Sequence, residues 1–244
     1  MSLQYQTEEE PEQEPPPDAV QPRSPVPLYT IILIASYAAV TIVQFTIGLD
    51  RSILIAGFVK QAFIHDHQYW RILTGAAMHG GLLHVAMNSY AFYSFGKIFE
   101  MLTNRAHLAI VFLLAAVGGG ALSLVLVPNG ISVGASGGIV GLIGYLAVYA
   151  FRRRDFISKE FRRGLLFNIG FILLYGVLLY QVIDNYGHIG GLITGAVYGF
   201  IQIPQDPYID PRKAGALTEV LGLASIGIYM AVCAFSILLM LGIA

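Results

Sequence analysis

Charge is scarce in this chain. Only 12% of its 244 residues are charged, against roughly 25% in an ordinary soluble domain, and long stretches carry no charge at all. With 56% hydrophobic residues, such runs exclude a soluble fold and point to a polytopic membrane protein. Cysteine is limited to Cys233, inside an apolar run, which excludes a disulfide framework and any CxxC metal or redox pair. Neither sign of charge dominates, and a net charge of −1 gives no electrostatic reason to expect a nucleic-acid partner. No HExxH occurs: His79 and His84 are five apart, and His65-Asp66-His67 reads as a solvated loop. The acids fall in the N-terminal tail, in loops or near helix ends, so two carboxylates for an aspartyl mechanism within the bilayer are missing. Missing too are the mid-bilayer charges and paired interrupted helices that mark a transporter or channel.

What is present begins with a contrast. Residues 1–27 hold six acids (Glu8, Glu9, Glu10, Glu12, Glu14 and Asp18), seven of the eleven prolines and a single base, Arg23. A segment of that makeup cannot bury enough apolar surface to fold, and it is expected to be a disordered, acidic, Pro-rich cytoplasmic tail. It has neither the layout of a signal peptide nor the Arg-rich makeup of a transit peptide, so the first apolar run is expected to be retained.

A spanning helix needs ~20 apolar residues at ~1.5 Å each. The hydropathy pattern predicts seven, near residues 28–48, 80–99, 106–127, 136–151, 164–182, 188–203 and 217–242. The piece from Ser52 to Met78 is apolar only in patches, interrupted by Lys60, His65, Asp66, His67 and Arg71, with Tyr69 and Trp70 alongside. That mixture suits the lipid–water interface. If the N-terminus is cytoplasmic, eleven of the Lys and Arg residues face inward and only Arg51, Lys60 and Arg71 face outward. The positive-inside rule therefore predicts N-in and C-out.

The fourth and sixth helices are expected to be short. Each covers sixteen residues, or ~24 Å against a ~30 Å hydrocarbon core. Their outer ends, headed by Ser136 and His188, then stop below the outer surface at about the same depth, where polar groups line water-filled cavities rather than lipid. Gly137 and Gly141 are four apart, as are Gly191, Gly195 and Gly199, and small residues at this interval let helix backbones approach closely. Taken alone, such a repeat is more often a packing device. Here close contact could also bring Ser136 Oγ within reach of His188, the arrangement that activates a serine nucleophile.

Attack on a carbonyl needs donors for the developing oxyanion. His84 and Asn88, four apart on the second helix, share one face near its outer half. Each offers a side-chain N–H, and the backbone N–H of Ser136 at a helix start is a third donor. Helix–helix hydrogen bonding is an equal alternative for an Asn and a His in a membrane bundle.

Together these residues resemble the rhomboid family of intramembrane serine proteases. The match runs from Tyr69 to Phe200 and includes Trp70–Arg71, the His79/His84/Asn88 series, Gly96 with Glu100, Gly134-Ala-Ser-Gly137, and His188 with Gly191 and Gly195. The resemblance implies an all-α fold: a six-helix core over 28–203, followed over 204–244 by a linker and a seventh transmembrane helix, as in six-plus-one members. It implies Ser136 as nucleophile, His188 as general base, and His84, Asn88 and Ser136 as oxyanion donors. His79, Trp70, Arg71, Glu100, Gly134, Gly137, Gly191 and Gly195 would be structural. One departure is Val140, where many members carry an aromatic that packs on the histidine ring; Asp184, four residues before His188, is the nearest carboxylate in sequence.

The expected function is hydrolysis of peptide bonds in or near transmembrane helices of protein substrates, with no metal or organic cofactor. The alternative is a catalytically silent rhomboid-like protein that holds membrane clients. The bilayer is the other expected partner, and a bacterial inner membrane or a plasma membrane the expected location.

Overall fold

A backbone within hydrocarbon has no water to satisfy its N–H and C=O groups, so the apolar runs must close their hydrogen bonds internally, as helices. A computed structural model describes residues 26–206 and 208–244; the expected acidic tail lies, up to residue 25, outside the described residues. In chain order the elements are α1 (Leu28–Ile47), α2 (Leu49–Ala56), β1 (Phe58–Val59), α3 (Lys60–His65), α4 (Arg71–Thr74) followed by a 3₁₀ turn (Gly75–Ala77), α5 (Leu82–Leu102), α6 (Arg105–Leu126), β2 (Ile131–Ser132), α7 (Ser136–Arg152), α8 (Lys159–Leu178), α9 (Asn185–Gln202) and α10 (Ala216–Leu241). The seven long helices fall on the seven expected runs. The chain is an all-α, polytopic membrane bundle.

Two helix starts differ from expectation, for one reason. The fifth run begins at Lys159 rather than near residue 164, because Ser158 caps it by accepting from the Phe161 N–H. The sixth begins at Asn185 rather than His188, because Asp184 caps it by accepting from the Gly187 N–H at 2.9 Å. A capping oxygen satisfies a backbone donor left free in the first turn, which extends the helix past the edge of the apolar pattern. His188 thus sits within the first turn of α9 instead of heading it.

Four of the long helices (α1, α6, α8 and α10) are long and apolar enough to cross a membrane by length and composition. The other three are shorter or more polar, and they carry the site. Of these, α7 is buried all round: every residue from Gly138 to Leu146 is inside. It is hydrophobic on all faces for that reason. Its contact with α9 is backbone on backbone, since a β-carbon on Gly191 would overlap the Gly137 carbonyl and one on Gly195 would overlap that of Gly141. α8 lies at the other extreme, burying only Leu165 and Gly176.

At the start of the bundle, Glu100 on α5 accepts from both the N–H and the hydroxyl of Thr30 on α1, at 2.8 and 2.7 Å. Gly96, one turn away, leaves room for that threonine. α10 closes the far side: Tyr229 donates to the Ala76 carbonyl at 3.0 Å, and Phe235 meets Trp70 edge to face.

The surface segment between α1 and α5 is more ordered than its mixed composition suggests. Arg71 is buried, donating from its guanidinium to the carbonyls of Leu54 (3.2 Å) and Gly57 (2.8 Å) and to Gln68 Oε1 while stacking on Trp70 at 4.7 Å. β1 forms a small antiparallel ribbon with β2, Phe58 opposite Ser132. Lys60 corrects the interfacial reading: it is 1% exposed, not in headgroups or water, because its ammonium turns inward to Ser123 and toward Asp184.

Candidate active site

Ser136 is the first residue of α7, and the first i→i−4 bond of that helix runs from the Ile139 N–H to the Ala135 carbonyl. The N–H groups of Ser136, Gly137 and Gly138 therefore precede the helical ladder. The glycine contacts with α9 bring the first turns of the two helices side by side, and Ser136 Oγ lies 2.9 Å from His188 Nε2. For Nε2 to accept from the hydroxyl, the ring proton must be on Nδ1. That Nδ1 makes no hydrogen bond among the described residues.

The two side chains expected to stabilise an oxyanion converge on the same place. Gly134, two residues before the serine, has φ +124°, a conformation that L side chains rarely adopt. A β-carbon there would lie 2.8 Å from His84 Nε2 and 3.4 Å from Asn88 Nδ2. Only glycine lets the chain pass beneath both groups. His84 Nδ1 accepts from the Gly80 N–H at 3.2 Å, so its proton sits on Nε2, the nitrogen facing Gly134. Asn88 Nδ2 is buried with no partner among the described residues. No described residue takes this donor, so it is free to receive a reacting group or solvent.

The remaining expected residues separate from this cluster. His79 is fully buried: its backbone N–H donates to Gln44 Oε1 (2.9 Å), its carbonyl accepts from Gln44 Nε2 (3.0 Å), and its ring lies between Tyr37 and His84. It props the His84 ring. Trp70 and Arg71 organise the surface segment, and Glu100 ties α1 to α5, as described above. Val140 is buried within α7.

Asp184 does not hold the imidazole. Its Oδ2 accepts from Ser123 and from Ser132, each at 2.5 Å, and its Oδ1 accepts from the Gly187 N–H. Lys60 Nζ donates to Ser123 at 2.6 Å and lies 4.0 Å from the carboxylate. Burial pushes the Asp184 carboxyl up, but the two hydroxyls, the backbone N–H and the Lys60 charge outweigh it and hold the group below the usual carboxylate range. Nothing in the residue pattern marks Lys60, Ser123 or Ser132 as partners of Asp184. The only local signal was a helix-capping aspartate three residues before Gly187; Lys60 and Ser123 are 63 residues apart. A cavity of about 50 Å³ is lined by Ser136, Gly137, Gly187, Ser132 and Asp184 among others.

Residues 66–205 match a family profile described as Rhomboid domain, more than half of the chain. Among curated proteins, the chain is 32% identical over 144 residues to "RHOMBOID-like protein 6, mitochondrial" of Arabidopsis thaliana, covering 58% of this chain and 46% of that protein. It is 32% identical over 139 residues to "Rhomboid protease GluP" of Bacillus subtilis, covering 57% and 27%. A third relative, "Inactive RHOMBOID-like protein 8" of Arabidopsis thaliana, is 29% identical over 168 residues, covering 68% and 48%. The aligned parts are half or less of each relative's own length.

Proposed function

The chain belongs to the rhomboid family, and from that premise we propose that it is an intramembrane serine endopeptidase working through a Ser136–His188 dyad. The observation that carries this reading is the 2.9 Å bond between Ser136 Oγ and His188 Nε2. In the proposed reaction Nε2 takes the hydroxyl proton as Oγ attacks the scissile carbonyl. The oxyanion receives N–H bonds from His84 Nε2, Asn88 Nδ2 and the Ser136 backbone. His188 then returns the proton to the departing amine, and water hydrolyses the acyl-serine by the same route. His79, Trp70, Arg71, Glu100 and the glycines Gly134, Gly137, Gly191 and Gly195 hold this geometry without touching substrate.

The substrates proposed are transmembrane helices cut in or near the membrane. A helix hides its carbonyls in internal bonds, so segments rich in Gly, Ser, Ala or Pro, which unwind at lower cost, are favoured. The sparse packing of α8 supports lateral entry between α5 and α8: Phe171, Leu174 and Leu178 on one helix and Leu83, Met87 and Tyr90 on the other are exposed. With the N-terminus inside, the cut falls near the outer surface.

The inactive relative supports a second reading, a silent protein that holds membrane clients. Labelling of the purified protein with a fluorophosphonate decides between them. Labelling that Ser136→Ala and His188→Ala each abolish is expected; no Ser136-dependent labelling would leave the client-holding reading.

A further inference from the structure

The Asp184 carboxylate joins four parts of the fold. Through Ser132 it holds β2, four residues before the nucleophile. Through the Gly187 N–H it holds the first turn of α9, which carries His188. Through Ser123 it holds α6, and through Ser123 and Lys60 it holds the surface segment that begins at β1. The two catalytic groups sit on separate helices joined by no direct loop, so their separation is set by whatever fixes one helix start against the other. The glycine contacts fix how near α7 and α9 come. A four-way polar tie at the N-terminal ends adds hydrogen-bonded partners that fix the first turns against each other.

Resting on the dyad reading above, we infer that Asp184 and Lys60 are positioning residues for the reaction: their shared network through Ser123 and Ser132 sets the register of His188 against Ser136 and makes it depend on the seating of the 58–65 surface segment. The charges are matched to this purpose. The Lys60 ammonium, fully enclosed, would be an uncompensated buried charge without a counter-ion, and Asp184, a quarter exposed, supplies one at 4.0 Å. Every acceptor site Asp184 uses is aimed at the scaffold and none at the imidazole, which separates this role from that of a triad aspartate.

The test uses the full chain in micelles, with kcat and KM on a transmembrane-helix substrate and, separately, the rate of fluorophosphonate labelling. Asp184→Asn keeps the shape and the capping oxygen but loses the charge and cannot accept from both serines. It is expected to lower kcat and the labelling rate by roughly 10- to 100-fold, the scale of a sub-ångström to ångström misplacement, with KM changed less than threefold. Lys60→Met is expected to act in the same direction, and the double variant to be no worse than the poorer single one, because both remove one network. Ser132→Ala should lose part of the rate and Ser132→Thr, which keeps the hydroxyl, should recover it. An Asp184→Asn protein labelled at the wild-type rate, effects of Lys60→Met and Asp184→Asn that multiply, or a loss that Ser132→Thr does not restore would each overturn the inference. Absence of Ser136-dependent labelling in the wild type is a different result: it overturns the dyad reading and this one with it.

Discussion

Gly195 on α9 faces the carbonyl of Gly141 on α7 so closely that a β-carbon on Gly195 would overlap that oxygen, and Gly191 stands in the same relation to Gly137 one turn away. Between membrane helices lipid tails are as apolar as leucine, so association rests on close packing and not on a hydrophobic gain. Replacing Gly195 with alanine must push the helices apart, an overpacking effect of about 1–3 kcal/mol. Thermal unfolding in micelles should show Gly195→Ala destabilised and fluorophosphonate labelling lost, since the Ser136–His188 separation opens with the helices. Gly170→Ala, where nothing lies within 4 Å of the new carbon, should be neutral or slightly stabilising. Equal stability of the two variants would contradict the backbone contact.

Asn88 should act on rate and not on binding. Its buried Nδ2 has no partner among the described residues, and in the proposed reaction it meets the charge that develops on the carbonyl oxygen. Asn88→Ala is expected to lower kcat by roughly 10², with KM little changed. A raised KM at unchanged kcat would make Asn88 a docking group, and no change in either would make it structural.

Arg71 should not be replaceable by lysine. Its guanidinium serves two carbonyls and Gln68 while lying on the Trp70 ring, a planar fork that one ammonium cannot reproduce. Arg71→Lys is expected to expose the segment between α2 and α4 to limited proteolysis at a rate at least several-fold above wild type. Unaltered cleavage would mean that the segment is held by its apolar contacts alone.

Thr30 and Glu100 form the clearest isolated polar tie between α1 and α5. Thr30→Val keeps the shape beneath Gly96 and removes one of the two donors. The expected cost is about 1.5–3 kcal/mol, the range for a hydrogen bond to a charged acceptor, read as a lower melting temperature at unchanged labelling. Loss of labelling without loss of stability would assign this pair a role in the site.

Acid should weaken the Asp184 network. Its carboxyl is held below the range it would have in the unfolded chain, which is about 3.9. The network's contribution to stability is therefore complete above that value and is lost as pH falls through the lower folded one. The melting temperature of the wild type should fall on acidification below about pH 4, with a shallower fall in Asp184→Asn, which has no proton to take up. Parallel acid limbs would remove Asp184 from the titrating groups that matter.

Much of this molecule was legible in its residue order. A scarcity of charge and seven apolar runs require a helical bundle in a bilayer, because no other local structure satisfies the backbone there. Glycines spaced by four mark the faces that touch, and the fixed rise of a helix is enough to place Ser136 and His188 near one depth. Those inferences need only one element, or two elements with a shared period.

Tertiary structure alone decided what depends on groups distant along the chain. Lys60 reads as an interfacial charge in sequence, yet it is buried because Ser123 and Asp184, on other elements, complete its surroundings. Asp184 reads as the nearest carboxylate to the His188 imidazole, yet it turns to two serines and a helix start. The capped starts of α8 and α9 lie beyond the apolar pattern because caps are polar by nature. Periodicity records which face of an element is apolar; it holds no record of which polar group, tens of residues away, will satisfy a buried charge.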